Sequence, residues 1–130
     1  MAIDRQQRHQ DRHQAAERRG HAGESLAALW LRLKGYRILA RRLKTRAGEI
    51  DLVAAAPFGP VCFIEVKARQ KARLAAESVA PAQQTRIARA ASLYLAGRPG
   101  LARRGARFDI VAIGAGSLPV HHRNVWQADV

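Results

Sequence analysis

Apolar residues recur along the chain with two periods, and the places where the period changes mark the predicted elements. From Gly23 to Lys34 the run GESLAALWLRLK sets Leu26, Leu29, Trp30 and Leu33 at helical spacing, a predicted core-facing stripe that Gly35 ends. Steps of about 100° per residue place Glu24 elsewhere on that helix, in line with Ala27, Ala28 and Leu31. That second face is small and apolar. Tyr36 to Lys44 reads as a strand with arginines on its exposed side, and Thr45 to Gly48 as the turn of a hairpin.

The stretch Gly48 to Lys67, GEIDLVAAAPFGPVCFIEVK, holds two further strands joined by a loop with two prolines and a glycine. Alternation groups Glu49, Asp51 and Val53 on one face and Ile50 and Leu52 on the other. In the second segment Val61, Phe63, Glu65 and Lys67 share a face, opposite Cys62, Ile64 and Val66. Residues 68 to 80 form a basic linker carrying Arg69, Lys71 and Arg73. Pro81 suits a first helical turn, and Gln83 to Leu95 follows with Ile87, Ala90, Ala91 and Tyr94 on one stripe before Gly97 and Pro99. After another basic loop, Arg107 to Ile113 and Leu118 to Trp126 read as strands. The order α, β, β, β, α, β with a final extra β is that of an α/β domain with a mixed sheet: short connections demand antiparallel pairing early, and the later helix permits a crossover. Residues 1–20, polar and without an apolar face, read as a flexible basic arm, leaving 21–130 as a single domain.

Charge changes this picture most. Twenty-three lysines and arginines against ten acidic residues give a net charge of +13, a balance that fits a polyanionic partner and above all nucleic acid. The arginines are spread along the chain, so a basic surface that serves solubility alone is the competing reading. Cys62, the only cysteine, excludes an intrachain disulfide and reads as core. With no apolar leader in the first residues, and no run approaching the ~20 apolar residues of a bilayer span, the chain is expected in the cytoplasm without a membrane association.

Against this basic background, Asp51, Glu65 and Lys67 stand out because they interrupt strand chemistry. An ionised group in the strand of a small core is costly unless paired or metal-bound. Two carboxylates on adjacent strands, fourteen positions apart in sequence and with a lysine beside them, suit Mg²⁺ or Mn²⁺. Mg²⁺ takes one or two carboxylates and keeps waters that leave room for a phosphate oxygen. Such a centre hydrolyses phosphodiesters, with Lys67 orienting water and stabilising developing charge. Glu24 has two readings: a first-turn glutamate favoured by the helix dipole, or a third carboxylate brought to the strands by the small face of its helix. Asp109 reads as the partner of a nearby arginine. His9 and His13, one turn apart, lack a third ligand, and the adjacent His121 and His122 face opposite ways in a strand.

This pattern resembles the restriction-endonuclease-like superfamily, whose signature is an Asp, a spacer, then Asp or Glu, any residue and Lys on an αβββαβ core. More closely, Gly23-Glu24, Gly35-Tyr36, Gly48-Glu49-Ile50-Asp51-Leu52, Phe63-Ile64-Glu65-Val66-Lys67, Val79 with Pro81 and Arg107-Phe108-Asp109 are similar to the bacterial YraN-like family, over about Gly20 to Trp126. The resemblance extends to archaeal Holliday-junction resolvases. It implies a metal site of Glu24, Asp51 and Glu65 with Lys67 as catalytic lysine, Mg²⁺ or Mn²⁺ as cofactor, and DNA, branched or not, as substrate. Phosphate contacts are expected from Arg46, Arg69, Lys71, Gln83, Gln84 and Arg86. The family pattern departs at Gln83, where a basic residue is usual, and around Arg73 and Leu74, where a Phe-Gly pair is usual. A non-catalytic nucleic-acid-binding module and a purely structural role for the acids are the alternatives. A one-site nuclease that cuts two strands would act as a homodimer.

Overall fold

A computed structural model describes residues 23–68, 79–114 and 116–130. The arm at 1–20, with its two histidines, and the linker residues Arg69, Lys71, Arg73 and Leu74 lie outside the described residues. Helix α1 runs over residues 23–33, followed by strands β1 (Arg37–Thr45), β2 (Gly48–Ala55) and β3 (Val61–Ala68). Helix α2 (Pro81–Ala96) and a single-turn helix α3 (Pro99–Ala102) lead to β4 (Ala106–Ile113) and β5 (Val120–Trp126). The order is that read from the sequence, save for α3, which lies within the stretch expected as a basic loop.

The five strands form one sheet in the order β1-β2-β3-β4-β5, antiparallel throughout except for the parallel β3–β4 pair that α2 makes possible. Two cores result, one on each face. On the α2 face Ile87, Ala90, Ala91 and Tyr94, the stripe expected from the sequence, pack on Val53, Val61, Phe63, Phe108 and Ile110. On the α1 face Ala27, Ala28, Leu31 and Tyr36 pack on Leu52, Ala54, Cys62, Ile64 and Val111. Cys62 is buried core as expected.

The expected stripe on α1 is corrected. Leu26, Leu29 and Leu33 are 39%, 51% and 74% exposed, whereas Ala27, Ala28 and Leu31 are fully buried. The helix turns its Ala27–Ala28–Leu31 face to the sheet, with Gly23 placed so that a Cβ there would be in ordinary van der Waals contact with Val66 and Ile113, and Leu26, Leu29 and Leu33 are left outward. A consequence is that Glu24, on the small face, is carried to the sheet and buried at 4% exposure.

Alternation in β2 is corrected as well. Ile50 packs with Val53 on the α2 face, not with Leu52 on the α1 face. The β2–β3 ladder stops at the Leu52–Ile64 pair, and beyond it the Asp51 carboxylate Oδ2 accepts the Val66 N–H at 2.8 Å. A side chain thus takes a ladder position, and the strict period of two ends there.

Asp109, fully buried in β4, accepts both Arg107 Nε and Nη2 (2.9 and 2.7 Å) and the Asn124 N–H (2.9 Å), with His121 Nε2 at 2.8 Å. The arginine pairing was legible in the sequence; the histidine was not. His121 and His122 face opposite ways, as expected, since they pair with Val111 and Ile110, which belong to opposite cores. Burial opposes the Asp109 charge, but the hydrogen bonds from His121, Arg107 and Asn124 prevail and hold its pKa at about 2, below its ordinary 3.8. A depressed acid stabilises the fold above its unfolded pKa, so this contribution is complete above pH ~4 and is lost as pH falls through ~2. Asp109→Ala, which strands Arg107 and His121, is expected to lower unfolding free energy by about 3–5 kcal/mol in urea titrations at neutral pH.

Candidate functional site

The polar residues of β2 and β3 gather where those strands part. Asp51 is fixed by the Val66 N–H and lies beside Glu65. Glu65 Oε1 accepts the Gln83 amide at 3.1 Å from the first turns of α2 and has Lys67 Nζ at 3.5 Å. Glu65 and Lys67 share a face, as alternation requires, and their side chains are only 13% and 17% exposed. Gly48 supports this arrangement from the far side: it adopts φ +152°, accessible to glycine, and a Cβ there would meet Arg86 Cβ at 3.5 Å. The β1–β2 turn is closed by the Thr45 hydroxyl, which accepts the Ala47 and Gly48 N–H groups. Helix α2 therefore seats close to the hairpin, which brings Gln83 within reach of Glu65.

Electrostatics marks the pair. Burial is the largest influence on Glu65, and the neighbouring Asp51 charge adds to it; together they raise its pKa from an ordinary 4.5 to about 7, against the pull of Lys67 and Gln83. Asp51 is also raised, first by burial and then by the Glu24 charge, while the Val66 N–H, Lys67 and a hydrogen bond with Glu65 act the other way. Two carboxyl groups so placed repel one another when both are ionised, and a proton on either relieves that repulsion. A divalent cation would remove the same repulsion that the proton relieves. The donor set of two hard oxygens fits Mg²⁺ or Mn²⁺, which complete their shells with water and phosphate.

The other sequence candidates fall into place around this pair. Glu24 is clasped by Arg41 Nε at 3.0 Å and Arg42 Nε at 3.5 Å, and Arg41 also donates to Ser25 Oγ at 2.7 Å. Its charge reaches Asp51, but its oxygens are engaged by arginines, so its position is that of an outer carboxylate. Among the described residues no three His, Cys, Asp or Glu side chains converge as a ready cation cage. Gln83 serves Glu65. Gln84 donates to the Val79 carbonyl at 3.0 Å and so fixes the start of α2. Arg86 is exposed against the β1–β2 turn, and Arg46 is exposed within that turn. Arg69 and Lys71 lie outside the described residues. The arginine clasp on Glu24 went unread because Arg41 and Arg42 are adjacent in a strand, where alternation sends neighbours to opposite faces; the left-handed φ of +49° at Arg42 breaks that rule.

The fold and site together define a basic α/β protein with paired strand carboxylates and an adjacent lysine. A profile of the Uncharacterised protein family UPF0102 matches residues 23–113. The chain is 52% identical over 121 residues to a UPF0102 protein of Paramagnetospirillum magneticum, covering 90% of this chain and 93% of that one. It is 49% identical over 121 residues to one from Agrobacterium fabrum, with 93% and 96% covered, and 43% identical over 126 residues to one from a Caulobacter strain, with 97% and 90% covered. The chain belongs to the UPF0102, or YraN-like, family.

The raised pKa of Glu65 carries a pH signature. An unfolded glutamate releases its proton near 4.5 and the folded one near 7, so between these values the folded state binds more protons and stability falls as pH rises. The melting temperature is expected to drop from pH 5 to 7 and to level off above. Glu65→Gln flattens that profile, and millimolar Mg²⁺ or Mn²⁺ raises the melting temperature of the unmodified protein most at the alkaline end.

Proposed function

We propose that this protein is a divalent-metal-dependent nuclease of the restriction-endonuclease-like superfamily, akin to archaeal Holliday-junction resolvases, acting on DNA in the cytoplasm. The observation that carries the reading is the Asp51–Glu65 pair, two half-buried carboxylates set side by side where β2 and β3 part, with Lys67 Nζ 3.5 Å from Glu65, on a protein of net charge +13. Asp51 and Glu65 would hold the ion. A bound Mg²⁺ or Mn²⁺ supplies an acidified water and neutralises charge on the scissile phosphate.

The chain's own residues account for the remaining roles. Asp51 is held in place by the Val66 N–H, so its orientation is set by the backbone. Gln83 orients Glu65 through Oε1. Lys67, 3.5 Å from Glu65, suits the phosphate oxygens, where negative charge grows during displacement. Glu24 with Arg41 and Arg42 forms an outer layer whose net charge is positive, which favours an approaching phosphate backbone. Arg46 and Arg86, exposed on the same hairpin and helix, extend that layer. Cutting both strands of a duplex requires two such centres, which a homodimer would supply.

In nicking assays on supercoiled and branched DNA with Mg²⁺ or Mn²⁺, Asp51→Ala, Glu65→Ala and Lys67→Ala are each expected to lower the rate by roughly 10²–10³-fold. Gln83→Ala is expected to weaken metal binding by roughly 10–100-fold in calorimetry. Salt-sensitive DNA binding with no cleavage and no calorimetric metal signal would instead leave a binding module. Absence of binding and cleavage would refute the nuclease reading outright.

A further inference from the structure

At the end of the sheet remote from the carboxylates, the β2–β3 turn presents Phe58 wholly to solvent. Its backbone lies at φ +53°, a left-handed conformation that costs a bulky residue free energy and that glycine would adopt freely. A solvated phenyl ring also forgoes the ~1.5–3 kcal/mol that its burial would contribute. Neither cost is offset by a side-chain contact among the described residues.

The turn is nevertheless rigid. Pro57 and Pro60 flank the tip, Ala56 N–H donates to the Pro60 carbonyl at 3.0 Å, and Gly59 N–H donates to the Ala56 carbonyl at 3.2 Å. Arg104 locks the turn to the start of β4 by donating from Nε to the Gly59 carbonyl (2.9 Å) and from Nη2 to the Ala56 carbonyl (2.7 Å). Gly35, after α1, lies against Pro57. Segments around Gly35 and Arg104 therefore meet the turn, and the Arg104 guanidinium is the cation fixed beside it. A fixed, exposed aromatic ring beside a guanidinium matches the chemistry of an unpaired nucleobase, which stacks its π-face on the ring while its phosphate meets the positive charge.

We infer that Phe58 is a stacking platform for an unpaired base at an end, bulge or branch of a nucleic acid. This rests on the nucleic-acid reading above and adds to it a preference for unpaired bases. Asp51 lies four residues from the end of β2. At about 3.3 Å per residue the tip is then on the order of 15–20 Å from the carboxylates, about five base-pair steps of a duplex. The platform is thus placed to engage a discontinuity while the centre addresses backbone a few steps away.

The test is fluorescence anisotropy with the full chain in EDTA at fixed salt, comparing a blunt duplex with the same duplex bearing an unpaired 2-aminopurine extension. The unmodified protein is expected to prefer the extended duplex and quench the 2-aminopurine. Phe58→Ala should lose roughly 5- to 150-fold in affinity for the extension, the equivalent of about 1–3 kcal/mol per stacked base, with blunt-duplex affinity unchanged. Phe58→Trp should retain both preference and quenching. Phe58→Ala should melt no lower than the unmodified protein, since the ring contributes nothing to the core. Equal affinities of the unmodified protein for both duplexes, or a Phe58→Ala variant that keeps the preference, overturns the inference while leaving metal-dependent cleavage standing. Failure of the unmodified protein to bind either duplex overturns the inference, and if it also binds and cleaves neither with Mg²⁺ or Mn²⁺ it overturns the nuclease reading as well.

Discussion

The hydrogen bond from the Val66 N–H to the Asp51 carboxylate is the contact on which the site depends. It replaces a main-chain acceptor with a side chain at the point where β2 and β3 part. Were the ladder to continue, Asp51 would follow the alternation of its strand and Ile50 would be drawn to the α1 face. Instead Ile50 enters the α2 core, and the carboxylate is pinned between strands beside Glu65. One bond thereby couples the packing of a core residue to the position of a polar group, and neither can shift without the other.

The second constraint is charge. The fold buries or half-buries acids at three places, and it treats them differently. Asp109 receives an arginine, a histidine and a backbone donor and stays ionised at every ordinary pH. Glu24 receives two arginines. Asp51 and Glu65 lie beside one another with the Val66 N–H, Lys67 and the Gln83 amide as their partners among the described residues, and burial still raises the pKa of both. The chain has arginines in abundance, and among the described residues none is recorded as an ion-pair partner of this pair, in contrast to Asp109 and Glu24.

Much of this was legible in the residues. Glu65 and Lys67 share a face by alternation alone, α2 shows its buried stripe openly, and the Asp109–Arg107 pair follows from an acid two positions from an arginine in one strand. What failed did so for physical reasons. The leucine stripe of α1 is its stronger apolar pattern, but the helix turns Ala27, Ala28 and Leu31 to the sheet, and which of two apolar faces meets a sheet is not a property of one helix's periodicity. Ile50 and Arg42 both lie where the strand period breaks, once through a side chain in the ladder and once through a left-handed backbone. Phe58 was read as part of an ordinary loop because exposure and φ are invisible in a string of letters.

The sheet order carries one more consequence. Strands β1 to β5 lie side by side in the order in which the chain runs, so the first two pairings need only tight turns, and a single longer excursion through α2 places β4. Asp51, Glu65 and Lys67 all belong to the early meander, whose closure has a small entropic cost, whereas Gln83 arrives with the excursion. During folding the carboxylates can meet before their amide support does. The last step to complete the constellation is then the docking of α2, the same event that closes the larger core.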